Sequence, residues 1–338
     1  MSLPPSALFR LTDDLSICRI LNGMWQVSGA HGAIEPGPAV DEMFAYHDAG
    51  FTTWDLADHY GPAEDFIGNF RRLFAARHGV ERLAEIQAFT KWVPHPGRMT
   101  RRLVEEAVEV SLRRMGVERL DLLQFHWWDY SDENYLEALD HLADLRDEGK
   151  IRHLALTNFD TERLRIIAEH GVPIVSNQVQ YSLVDRRPER RMAAFGGARG
   201  TTLLAYGTLL GGLLSEKYLG RPEPARAELT TASLQKYKRM IDTWGGWALF
   251  QQLLAVLKQI ADKHQVSIAN VGVRYILERP SVAGVIVGAR LGVTEHIADN
   301  ARVFGFALDN ADHATIEPVL AKSRDLMTVI GDCGDEYR

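Results

Sequence analysis

Cysteine is almost absent from this 338-residue chain, with only Cys18 and Cys333 near opposite ends. Neither a disulfide framework nor a cysteine-based zinc site can be built within one chain from two distant thiols, and a reducing compartment is expected. Long apolar runs are also missing. The longest uncharged apolar stretch, Leu203 to Leu214, is too short and too glycine-rich to span a bilayer, and the opening MSLPPSALFR has no basic segment followed by an apolar core. No membrane association and a cytoplasmic location are the expectations. Positive charge is in short supply: 38 Lys and Arg against 45 Asp and Glu leave a formal net charge of -7 and a pI near 6.0. The basic residues are scattered among acids, which argues against a nucleic-acid partner. No G-x-G-x-x-G turn occurs, so an open dinucleotide-binding sheet lacks its phosphate loop. Asp58-His59 and the stretch from His126 to Asp129 hold polar ligands, but no H-E-x-x-H or similar spacing, and no metal site is expected.

What the chain does contain is alternation. Eight strand-like apolar runs begin at Leu21, Phe51, Glu85, Leu120, Arg152, Pro173, Thr201 and Val282. Segments of helical spacing lie between them, for example Val104, Val108, Leu112 and Met115, or Leu136, Leu139 and Ala143. Most of the runs are nearly continuous, as in a parallel sheet covered on both faces. Gly50, Gly79, Gly116, Gly149 and Gly171 each follow a helical segment and precede a strand, the place of a left-handed C-cap, and Thr100 and Asp160 read as N-caps. Eight β-α units without a break in composition predict an α/β fold of the closed (β/α)8 barrel type, one domain over 1-338. Three additions are read onto it. Residues 8-20, FRLTDDLSICRI and its neighbour, alternate around Asp13-Asp14 as a hairpin able to plug the N-terminal end. Residues 208-246, rich in Gly, Pro and charge, read as a lid loop after strand seven. After the last strand, Thr294 to Val303 and Ala311 to Leu326 read as helices, and 327-338 as a loose acidic tail.

Active sites of such barrels sit at the C-terminal ends of the strands. Asp55, Lys91, His126, Asn158, Gln178, Tyr206 and Gly288 each fall at or just past the end of a different strand, so they are expected to ring one pocket. Trp25, Trp92, Trp127 and Trp128 lie beside strand ends. Trp25, Trp92 and Trp127 are read as an aromatic wall for a substrate, Trp25 and Trp92 foremost. Reduction of a carbonyl leaves negative charge on oxygen and needs a proton donor. Tyr60 is the candidate: a phenol titrates near ~10, and a neighbouring ammonium such as Lys91 favours the phenolate. Asp55 is placed to pair with Lys91, and His126 to orient the carbonyl oxygen.

The segment Asp55-x-x-x-x-Tyr60-Gly61, Lys91 after Phe89-Thr90, and DLLQFHW around His126 resemble the catalytic tetrad of the aldo-keto reductase family. The resemblance continues through LALTNF, SNQVQYS, LLAYGTLLGGLLSEKY and GVIVGA with HIADN, and so covers nearly the whole chain. It implies a nicotinamide cofactor, NADPH with NADH as the alternative, and reduction of an aldehyde or ketone, or the reverse oxidation, with a small carbonyl compound as partner. Carried over, Thr157 (usually Ser in the family), Asn158 and Gln178 would hold the carboxamide and Tyr206 would stack on the ring. Leu209, Gly211 and Lys217 would belong to the loop gripping the pyrophosphate. Gly288, Arg290, His296, Asp299 and Asn300 correspond to the adenosine-phosphate and adenine contacts. His296 departs from the Arg or Gln of many NADPH-preferring members, while Arg290 keeps a fork able to pair a 2′-phosphate. The same resemblance extends to the redox-sensing β subunits of potassium channels, a second class of function. His126, where those subunits have Asn, favours the enzyme.

Overall fold

The computed structural model describes residues 3–29 and 34–337. Eight parallel strands close into a barrel: β3 (Ile20–Gly23), β4 (Thr53–Asp55), β5 (Gln87–Trp92), β6 (Leu120–His126), β7 (Ile151–Thr157), β8 (Ser176–Gln180), β9 (Thr202–Tyr206) and β10 (Val282–Gly288). Each of the eight expected runs supplies one of them. The seam joins β10 to β3, with Val285 opposite Ile20 and Gly288 opposite Gly23. Arg19 staples it, its guanidinium donating to the carbonyls of Leu277, Val282 and Ala283 at 2.6, 2.9 and 3.2 Å.

The helices that wrap the barrel include α1 (Pro36–Asp48), α2 (Ala63–His78), α3 (Arg101–Met115), α4 (Tyr135–Asp147), α5 (Thr161–His170) and α6 (Met192–Arg199). Thr100 caps α3 by accepting from the Leu103 amide, and Asp160 caps α5 by accepting from Arg163. All five glycines expected at C-caps have positive φ. The buried stripe of α4 runs through Tyr135, Ala138, Leu139, Leu142 and Leu145. It is rotated from the expected one: Leu136 and Ala143 flank it, half-buried.

The hairpin is present, β1 (Leu8–Arg10) pairing antiparallel with β2 (Ser16–Cys18). It plugs the N-terminal end: Leu11, Leu15 and Ile17 form one cluster with Leu21, Phe89, Leu122, Ala155, Leu204 and Ala283 inside the barrel. Each Leu, Ile or Phe of this cluster removed from water contributes about 1.5–3 kcal/mol. Asp14 latches the turn, bonding Arg152 Nε at 2.7 Å and His153 Nε2 at 2.8 Å.

Three readings need correction. The stretch 208-246 is not all loop. After short turns at Leu210–Gly212, Glu216–Tyr218 and Arg226–Glu228 it carries a helix, α7 (Ala232–Trp244), N-capped by Thr231 and burying Tyr237, Met240, Ile241 and Trp244. Two more helices, α8 (Trp247–His264) and α9 (Ile268–Leu277), lead to β10. Beyond it the helices are shorter than expected: α10 (Ile297–Arg302), α11 (Asn310–Leu320) and α12 (Leu326–Ile330). The tail is not loose either, because Asp332 and Cys333 are buried and Glu336 pairs with Arg187 at 2.8 Å. Arg338 lies outside the described residues.

Candidate active site

Inward and outward side chains alternate along each strand. On β5, Phe89 and Lys91 point into the barrel while Thr90 turns out to Glu64 of α2, its hydroxyl donating at 2.6 Å. Lys91 Nζ donates to Asp55 Oδ2 at 2.6 Å and to the Leu56 carbonyl at 2.8 Å. Both side chains of the pair are buried, at 3% and 4% exposure. Two amides complete the shell of Asp55: Gln124 Nε2 and Gln178 Nε2 donate to Oδ1 at 2.9 and 2.7 Å, and Gln178 Nε2 also reaches Gln124 Oε1 at 2.6 Å. A buried ion pair without such partners would not repay its desolvation. Burial pushes the Lys91 ammonium below the ordinary lysine value, even against the opposing pull of Asp55.

Tyr60 sits in the turn after β4, its amide donating to the Ala57 carbonyl. Its half-buried ring lies 5.1 Å from Lys91 Nζ, measured to the centroid. His126 ends β6, is buried, and has its ring 4.2 Å from that of Trp128, tilted by 39°. The four residues read as a relay therefore gather on the rim formed by β4, β5 and β6.

On the other side of the mouth, Thr157 ends β7 and Asn158 follows with φ 58, a left-handed conformation that asparagine tolerates. Tyr206 ends β9 and donates its hydroxyl to Asn158 Oδ1 at 2.9 Å. Gln178 departs from the strand-end ring: it lies in the middle of β8, its amide nitrogen taken by Asp55 and Gln124. Gly288 ends β10 beneath the Gln26 amide, which a Cβ there would strike at 2.2 Å. Arg290 and His296 are exposed, Arg290 in a bridge to Thr294 and His296 at the start of α10. Asn300 is buried. The Asp299 carboxylate is held by Ser267 Oγ at 3.1 Å and Asn270 Nδ2 at 3.2 Å, at the head of α9. Glu216 accepts from the Ile268 amide at 2.7 Å at that same helix end, which draws the loop after β9 toward α10. In this loop Leu209 is half-buried, Gly211 has φ 66 and packs against Ser233 and Tyr237, and Lys217 is exposed over the Tyr218 ring.

Two of the three expected substrate tryptophans face the wrong way. Trp92 follows Lys91 and Trp127 follows His126, so each points outward; Trp92 packs against Phe125, ring centroids 5.5 Å apart. Trp127 is fully buried, donating to the Asp129 and Asp132 carbonyls at 2.7 and 2.9 Å. Trp25 is half-buried in a turn, Trp25–Ser28, directly after β3, and this turn lies against Gly61 beside Tyr60. Trp128, two residues beyond His126, is the aromatic that borders the relay. It, Gln124 and Gln180 were the residues to find by stepping two positions along a strand from His126 or Gln178.

Of the groups available to a nicotinamide cofactor, Thr157 Oγ1 and Gln180 Oε1 are buried without a hydrogen-bond partner among the described residues. Polar atoms so placed fit a ligand that brings its own donors and acceptors. No group of three or more His, Cys, Asp or Glu side chains able to hold a metal ion occurs among the described residues, and no described helix is long and apolar enough to cross a membrane.

The barrel mouth thus holds a buried Asp-Lys pair beside a tyrosine and a histidine, groups able to hold and release a proton next to a ligand. Residues 19–321 match the model of the Aldo/keto reductase family, and the chain belongs to that family. It is 28% identical over 310 residues to the aldo-keto reductase str7 of Strobilurus tenacellus, covering 88% of this chain and 85% of that one. It is 36% identical over 181 residues to Flagellar radial spoke protein 5 of Chlamydomonas reinhardtii, where the match spans 48% of this chain and 34% of the longer relative. Among solved structures, the glycerol dehydrogenase of Gluconobacter oxydans shares the fold with a TM-score of 0.78 at 23% identity, over 95% of this chain and 97% of that one.

Proposed function

We propose that this protein reduces an aldehyde or ketone to the alcohol, or runs the reverse oxidation, with Tyr60 as the general acid. The observation that carries the reading is the buried Asp55–Lys91 pair at 2.6 Å with its ammonium 5.1 Å from the Tyr60 ring. When bound, a nicotinamide dinucleotide would supply the hydride. Tyr60 then delivers the phenolic proton to the oxygen on which negative charge develops. Lys91 favours the phenolate left behind, and Asp55, itself fixed by Gln124 and Gln178, keeps the ammonium in place. His126 orients the carbonyl oxygen, and Trp128, packed beside it, gives the substrate an apolar wall.

Thr157, Asn158 and Tyr206 would hold the nicotinamide end, and the exposed Arg290 supports NADPH over NADH by offering a fork for a 2′-phosphate. The partner is a small carbonyl compound. Substituting Tyr60→Phe removes the proton and keeps the ring. Turnover should fall by about two to four orders of magnitude, while dinucleotide affinity, followed by fluorescence quenching, stays within a few-fold. Retention of most of the turnover would assign the acid to another group.

A further inference from the structure

We propose that the cleft between α2 and α3 binds the phosphate group of a small organic phosphate, held by Arg71, Arg72 and Arg113. The cleft lies in the helical layer outside the barrel and shares no lining residue with the mouth. Gly68 creates it. The two helices approach so closely there that a Cβ on Gly68 would lie 2.1 Å from the Arg114 carbonyl oxygen. Arg71 and Arg72, three and four positions further along α2, fall on the same helix face as Gly68. The last turn of α3 brings Arg113 and Arg114 to the same place. All four arginines line one cavity of about 510 Å³, to which Ala75 of α2 and Leu83 of the turn Val80–Glu85 add an apolar wall.

The charges around this cavity are poorly matched. Arg114 is committed elsewhere: its Nη1 donates to the Asp58 carbonyl at 3.2 Å and to Glu64 Oε2 at 3.3 Å, which ties it to the turn carrying Tyr60. It is therefore left out of the binding set. Arg113 comes within 3.7 Å of Glu109, a pair that is largely exposed and screened by solvent. Arg72 donates from Nη2 to Asn69 Oδ1 at 2.7 Å, a neutral partner. Arg71 is half-buried, and its side chain makes neither a hydrogen bond nor an ion pair among the described residues; its Nε is shut off from solvent as well. Asp121 acts on Arg71 through its field alone, and has its Oδ2 bonded to the Ala88 amide at 3.1 Å.

A guanidinium keeps its proton at neutral pH, so the cost of burying Arg71 is not relieved by neutralisation. Attraction to a helix end accounts for Arg113 and Arg114, in the last turn of α3, and not for Arg71 in the middle of α2. An anion accounts for it. The planar fork of arginine matches phosphate with two parallel bonds, and a phosphate offers oxygens to more than one fork, which a single carboxylate does not. The cavity has the size of a small-molecule pocket. At about 30 Å³ for each water-sized group it exceeds a bare phosphate several-fold, and the apolar wall leaves room for the organic part of an ester.

The test titrates the full chain with glucose 6-phosphate, inorganic phosphate and glucose by calorimetry at low ionic strength. Glucose 6-phosphate should bind at one site, at least about tenfold more tightly than glucose, with inorganic phosphate between them. Arg71→Met should weaken the ester by at least about tenfold, the loss of one charge-assisted hydrogen bond, and Arg113→Met by less. Arg290→Ala, at the barrel mouth, should leave ester binding unchanged. Without ligand, Arg71→Met should melt no lower than the wild type, because an apolar side chain replaces an uncompensated charge. If Arg71→Met does not fold, Arg71→Lys keeps the charge without the fork and should also weaken binding. Unchanged affinity in the Arg71 variants overturns the proposal, and a lowered melting temperature in that case assigns Arg71 to balancing Asp121. Loss of binding in Arg290→Ala alone overturns it by placing the phosphate at the mouth. Inorganic phosphate binding as tightly as the ester overturns the organic ligand, and an oligoglutamate peptide that binds where the ester does not makes the cleft a protein-docking face instead. No arm uses a dinucleotide, so the outcome is independent of the reading of the barrel mouth.

Discussion

Phe89 and Lys91 leave the same strand on the same face, two residues apart, and meet opposite surroundings. Phe89 belongs to the apolar plug with Leu11, Leu15, Ile17 and Leu122. Lys91 is bonded to Asp55 in a shell of amides. Three more strands repeat the switch: Leu122 then Gln124 and His126 on β6, Ala155 then Thr157 on β7, Leu204 then Tyr206 on β9. One end of the barrel is sealed by hydrocarbon and the other is furnished with polar and ionisable side chains. The division shows how the fold tolerates a buried charge pair: the stabilising apolar layer is a separate set of residues, so the mouth need not contribute to it.

The sharpest way to break this comparison is Lys91→Met. It leaves the Asp55 carboxylate buried with only amide donors, which should cost about 3–5 kcal/mol of stability, and it should lower turnover by at least about a hundredfold through loss of the ammonium beside Tyr60. Denaturant melts and steady-state rates measure the two effects; an unchanged stability would mean that the pair is not charged in the fold. Next, Leu122→Ala at the plugged end should lower stability by about 2–5 kcal/mol and leave the rate per folded molecule within a factor of about two. A large catalytic loss would show that the two ends are mechanically coupled. The smallest effect concerns the latch on the hairpin.

Asp14 is held well below the ordinary carboxylate range by its hydrogen bond from Arg152, and next by that from Thr12. Because the folded value is depressed, the stabilisation is present above the unfolded carboxylate value near ~3.9 and is lost as pH falls through the folded value. Half-exposed as it is, the group is screened by solvent, so its contribution is modest. Stability curves of the wild type and Asp14→Asn should differ above about pH 4 and converge in strong acid; curves that run parallel to the lowest pH would show that the latch does not depend on the charge.

The barrel and most of the relay were legible in the residues because both are written locally. Strand runs, cap residues and glycines sit next to the features they specify, and Asp55, Tyr60, Lys91 and His126 fall at strand ends that can be counted. The errors came from two sources. Trp92 and Trp127 were placed by proximity to a strand end without the alternation that sends the residue after Lys91 or His126 to the opposite face. The helix α7 was hidden by the Gly- and Pro-rich stretch before it, although Ser233, Tyr237, Met240, Ile241 and Trp244 carry helical spacing. The ion pair that ties down the C-terminal segment was not legible at all: Arg187 and Glu336 are separated by 149 positions, and nothing in either neighbourhood points to the other.

The seam between β10 and β3 has a consequence in time. Ile20 must find Val285, and Arg19 must find carbonyls more than 250 positions along the chain, so closure belongs to the slow, non-local steps of folding. Until it occurs, β3 and β10 are the open edges of an incomplete sheet with apolar faces, the surfaces on which two partly folded chains would most readily join. Arg19, by tying the start of β3 to the carbonyls at the start of β10, holds those two edges together once they have met.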